Sequence, residues 1–171
     1  MDAQSRPVGA EKAVKSSRCH LAALKKKLRA EIPATRRLGI EPARCDDNVL
    51  VLSAPLVPNR NDKGTAFAGS LCALATLAGW SAVWLALRDA GLEGIVVIQD
   101  STIRYLRPVT RDFEARCPWP TPAQFARLFA TLRKHGKARL RLRIAIRESG
   151  TDAVTFTGRF VVWLSKQPRA S

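Results

Sequence analysis

Leu140, Leu142, Ile144 and Ile146 alternate with Arg139, Arg141, Arg143, Ala145 and Arg147. A period of two belongs to a strand with one face on a core and the other toward water or a partner. Residues 148–152, Glu-Ser-Gly-Thr-Asp, read as a turn, and residues 154–164 as the returning strand. An earlier hairpin is predicted from residues 40–45 and 49–56, joined by Asp46-Asp47-Asn48. Residues 94–106 form a further strand that Pro108 ends, and a charged strand over 110–117 is expected antiparallel to it. Leu21, Leu24, Leu28 and Ile32 share one helical face, with Ser16 or Ser17 as cap and Pro33 as stop. Thr121-Pro122-Ala123-Gln124 has the capping-box pattern, the stripe Phe125, Leu128, Phe129, Leu132 follows, and Gly136 can end that helix.

One run breaks these patterns. Residues 64–87 carry no charged side chain, in a chain where 25% of residues are charged. Ala and Leu dominate it, which makes it a helix. Apolarity all round means burial, either in a bilayer or inside a soluble core. The soluble reading is favoured, because Gly, Ser and Thr dilute the run and strands flank it. Ala66, Ala68, Gly69, Ala73, Ala75, Ala78, Gly79 and Ala82 are small enough for a sheet to approach closely.

The entrance to this helix is the candidate for chemistry. Asn61 or Asp62 is a plausible N-cap, and Gly64 permits a tight turn. Free N–H groups at a helix N-terminus stabilise a nearby negative oxygen, so Ala68 and Gly69 could form an oxyanion hole. Packing alone would also account for these small residues.

Composition narrows the rest. With 171 residues the chain reads as one domain over 16–166, between a disordered tail at 1–15 and a short tail at 167–171. The 29 Lys+Arg against 14 Asp+Glu give a net charge of +15, which attracts polyanions of any kind. No reader motif accompanies it, which disfavours nucleic acid. Cys19, Cys45, Cys72 and Cys117 lack the close spacing of a metal site, so no metal is expected. With no signal-like apolar stretch at the start, a reducing, cytoplasmic protein is expected.

The run Asn59-x-Asn61-x-Lys63-Gly64-Thr65-Ala66-Phe67-Ala68-Gly69-Ser70, with Leu77-Ala78-Gly79-Trp80 and Ile103-x-Tyr105-Leu106-x-Pro108, resembles the YiiD C-terminal type of thioesterase domain. The likeness extends over residues 20–165. It implies an α+β hot-dog fold, an antiparallel sheet of about six strands around one long central helix, with shorter flanking helices. It also implies a homodimer or a dimer of dimers, in which third strands pair across subunits. Acyl-CoA thioesterases of this fold carry Asn, Gly, His-Gly-Gly and then an acid two turns into the helix. Asn61 and Gly64 agree with that pattern. Phe67 stands at the histidine, Ala68 and Gly69 at the glycines, and Thr76 at the acid. The resemblance thus implies that Ala68 N–H polarises a thioester carbonyl, Asn61 positions the water or the thioester, and Thr76 holds water. Threonine is no general base, and Asp62 or Asp100 could substitute. The expected substrate is an acyl-CoA or an acyl carrier protein, with coenzyme A as part of the substrate and no further cofactor. Arg104, Arg107 and the arginines of 139–147 could hold its phosphates or an acidic carrier. A non-catalytic acyl-CoA binder and a basic nucleic-acid-binding protein are the alternatives.

Overall fold

Six strands hydrogen-bond in the order β1-β2-β4-β5-β6-β3, every neighbouring pair antiparallel. They are β1 (Glu41–Cys45), β2 (Val49–Ala54), β3 (Gly94–Tyr105), β4 (Phe113–Pro118), β5 (Lys137–Glu148) and β6 (Thr151–Leu164). The computed structural model describes residues 20–165. The helices are α1 (Leu21–Glu31), the single turn α2 (Ala34–Arg37), the long α3 (Ala68–Asp89) and α4 (Pro122–His135).

The alternating pattern of β5 translates directly into burial. Leu140, Leu142, Ile144 and Ile146 are buried, and the intervening arginines are exposed. Ser149 and Gly150 both take positive φ, the geometry of the tight hairpin turn whose twist suits the flanking strands. In α4 the Thr121 hydroxyl accepts from Gln124 N–H and the Gln124 amide oxygen from Thr121 N–H. Gly136 closes α4 in the left-handed conformation at φ 67°.

The sheet curls around α3, which touches β2, β3, β4, β5 and β6. That helix is long and apolar enough to cross a bilayer by length and composition, but it is the buried core helix of this sheet. Where helix and sheet come closest, Gly79 leaves room for a ring: a Cβ there would lie 2.4 Å from Phe160. This is the close approach that the small residues of the run predict.

Three expectations need correction. The strand over 110–117 does not pair with β3; β4 lies between β2 and β5, and among the described residues β3 pairs only with β6. The reason is topological, since the connection over 106–112 carries the chain from the edge strand β3 to the middle of the sheet instead of back along β3. Second, α3 begins at Ala68, with Phe67 as an extended N-cap residue and no side-chain cap, so neither Asn61 nor Asp62 caps it. Third, Pro33 does stop α1, but it also opens α2, a turn the apolar pattern does not announce. The caps Ser16 and Ser17 lie outside the described residues.

Candidate active site

The loop leading to α3 is built by two asparagines. Asn59 is buried, and its Nδ2 donates to the carbonyls of Leu38 at 2.8 Å and Pro55 at 2.7 Å. Its own carbonyl accepts from Phe67 N–H at 2.7 Å, which sets the last extended residue before the helix. Asn61 folds the intervening loop on itself. Its Oδ1 accepts from Lys63 N–H at 2.9 Å and Thr65 N–H at 3.2 Å, and its Nδ2 donates to Thr65 Oγ1 at 2.9 Å. Gly64 at φ 77° completes the turn, a backbone conformation that a side chain would strain. Ala66 N–H then bonds Val109 O at 2.8 Å, tying the loop to the segment before β4.

That segment is held in turn by Glu148, the last residue of β5. Its carboxylate accepts from the Thr110 hydroxyl at 2.6 Å and from Thr110 N–H at 3.3 Å, with Arg111 Nε at 3.4 Å. The Thr110 hydroxyl is the main cause that holds Glu148 below the usual carboxylate range; burial opposes it and Arg111 assists.

At the helix entrance the first intrahelical bond is Leu71 N–H to Phe67 O at 3.1 Å. The N–H groups of Ala68, Gly69 and Ser70 therefore precede the ladder, and no side chain caps them. Ala68 and Gly69 are exposed, and Phe67 is 54% exposed. The Phe67 ring folds back over Gly69, where a Cβ would meet it at 2.3 Å, so this glycine makes room for its neighbour's ring. From β3 the Tyr105 hydroxyl donates to Ala68 O at 3.1 Å. Burial pushes this phenol up, and the nearby Cys72 thiol adds to the shift, so Tyr105 stays a neutral donor well past neutrality.

Thr76 is half-buried on the face of α3 that also carries Cys72, Ala73, Trp80 and Trp84, all half-buried. The two tryptophans stack at 6.3 Å, and Trp80 Nε1 donates to Val96 O of β3 at 2.9 Å. Eight residues at 1.5 Å each put Thr76 about 12 Å along the axis from Ala68. One chain thus joins Asn61 and Gly64 in the loop, gathers Phe67, Ala68, Gly69 and Tyr105 at the helix start, and leaves Thr76 apart.

The charged candidates sit elsewhere. Ile144 and Phe160 point at α3, so by strand register Asp100 and Arg104 lie on the opposite face of the sheet. Asp100 is ion-paired with Arg159 there. Arg107 follows β3, its Nη1 donating to Thr151 Oγ1 at 2.6 Å. Tyr105 and Asn59 are the residues that sequence reasoning left without a role. The signal for Tyr105 was its place as the chain's single tyrosine, inside the Ile103-to-Pro108 motif.

A curled six-stranded antiparallel sheet around one apolar helix is the hot-dog architecture. The chain belongs to the family described as "Putative thioesterase (yiiD_Cterm)", whose model matches residues 21–164. Solved structures agree. A protein of Shewanella oneidensis described as a "putative thioesterase" is 34% identical, with TM-score 0.76 over 82% of this chain and 95% of that one. A Chlorobaculum tepidum protein of unknown function is 30% identical, with TM-score 0.81 over 84% of this chain and 94% of that one. A Haemophilus influenzae thioesterase, 21% identical with TM-score 0.68 over 88% and 94% of the two chains, shares the fold.

Proposed function

We propose that this protein hydrolyses an acyl thioester carried by coenzyme A or by an acyl carrier protein. The observation that carries the reading is the uncapped, exposed start of α3, where the N–H groups of Ala68 and Gly69 have no partner in the helix. Negative charge develops on the thioester oxygen as water attacks, and aligned N–H groups backed by a 22-residue helix are suited to it. Asn61 acts by shaping the loop that aims these donors. Thr76 holds the attacking water through its hydroxyl, and Phe67 and Gly64 border the bound acyl group.

The site is completed by a second copy. Thr76 is too far along α3 to reach a carbonyl seated on Ala68 of the same chain. It meets one seated on the partner's helix if two chains pair edge to edge. Strand β3 suits that role: it is 12 residues long, stands at the sheet edge, and exposes Ile95 by 60% and Val97 by 36%. Free thiols at Cys72 and Cys117 are in keeping with a reducing cytoplasm as its place of work.

The test is a panel of acyl-CoAs of graded chain length, followed by release of free thiol. Turnover of some member, lowered in Thr76→Ala, supports hydrolysis. Binding without turnover across the panel would convert the reading to a non-catalytic acyl-CoA binder. Two observations favour that second reading: α3 carries no carboxylate from Ala68 to Leu87, and Asp100 is engaged by Arg159.

A further inference from the structure

The face of the sheet turned away from α3 is tiled with guanidinium groups. Arg139, Arg141 and Arg143 project from β5, Arg159 from β6 and Arg104 from β3. The register sets Arg141 directly opposite Arg159. Like charges at that cross-strand position repel, and among the described residues only Asp100 relieves the pair, through Arg159. Among the described residues Arg104, Arg141 and Arg143 take part in no ion pair and no side-chain hydrogen bond. A fold stabilised by its own contacts gains nothing from this arrangement, whereas a polyanion laid across it would.

We infer that this face docks an acidic helix of an acyl carrier protein, which rests on the thioester reading above. Alternate residues on β5 stand about 6.6–6.8 Å apart. Carboxylates four residues apart on a helix stand about 6 Å apart. A line of arginines and a line of acids therefore match over several pairs. Arginine, with its planar fork, binds carboxylates two-pronged in a way lysine does not. The sheet curls around α3, so this outer face is convex. Among the described residues it presents no row of aromatic rings for unpaired bases. The docking face adjoins the site through β3, where Arg104 on the outer face is followed by Tyr105 at the start of α3.

The experiment measures binding of purified apo acyl carrier protein, which carries no thioester, to the intact protein and to Arg141→Glu/Arg143→Glu. Short duplex DNA and phosphatidylglycerol vesicles serve as competing probes. The expected result is salt-sensitive binding of the carrier protein that weakens by about tenfold or more in the double variant. No carrier binding, unchanged binding by the variant, or tighter binding of duplex or vesicles overturns the inference. Acyl-CoA turnover by the same samples reports on the hydrolase reading separately. Its absence in the wild-type protein would count against hydrolysis, while the carrier-binding result would still decide the docking surface.

Discussion

The Tyr105 hydroxyl donates to the Ala68 carbonyl at 3.1 Å, joining the last residue of β3 to the first residue of α3. Two elements 37 residues apart are thereby fixed at the point where the thioester is proposed to sit. Tyr105→Phe removes one hydrogen bond and is expected to cost about 0.5–1.5 kcal/mol of stability. Thermal unfolding measures that loss, and a lowered kcat/KM in the same variant checks whether the tie also aligns the entrance.

Ala68→Pro isolates the oxyanion donor. Proline is tolerated at the first helical position, and Phe67, at φ −67° and ψ 133°, already has the extended backbone a following proline requires. The fold should survive while one N–H is lost. Turnover is expected to fall about a hundredfold or more, and a variant that folds and keeps full activity would remove Ala68 from the mechanism.

Asn61 is tested by a pair of variants. Its Oδ1 accepts two backbone N–H groups, whereas its Nδ2 meets only Thr65 Oγ1 at short range. If its work is to shape the loop, Asn61→Asp retains most activity and Asn61→Ala loses it. Equal loss in both would instead place Nδ2 on the substrate.

Glu148 gives the pH dependence. Its folded pKa lies below the ordinary 4.5, so its contribution is present above that value and lost as pH falls through the folded value. Wild type should exceed Glu148→Gln in stability by about 1 kcal/mol near neutrality. The gap should close below pH 4.5, as denaturant titrations at several pH values would show.

Gly79→Ala places a methyl group against the Phe160 ring, 2.4 Å from the Cβ position. Overpacking of this kind costs about 1–3 kcal/mol, which outweighs the gain of about 1 kcal/mol in helix propensity. Calorimetry should show a lower Tm.

Much of the fold was legible because each buried face had its own period. The arginine–leucine alternation of β5 and the stripe of α4 reported which side met the core, and an uncharged run 24 residues long (64–87) had to be largely buried, in a core or in a bilayer. Pairing order was not legible. Nothing in the charged strand over 110–117 says that its neighbours are β2 and β5, since partners are chosen by three-dimensional closure around α3. The helix start was misplaced for a local reason. Asn61 has a capping side chain, but it closes an Asx-type loop with Lys63 and Thr65, and the helix waits until Ala68. Tyr105 meets Ala68 only through tertiary contact, so no spacing rule could reveal it.

The order of elements has a bearing on biosynthesis. When α3 leaves the ribosome, only β1 and β2 have been made; β3, β4, β5 and β6, which complete its cover, all come later. During that interval the nascent chain displays a segment long and apolar enough to cross a membrane by length and composition. A chain truncated after Leu92 should therefore aggregate or partition into membranes.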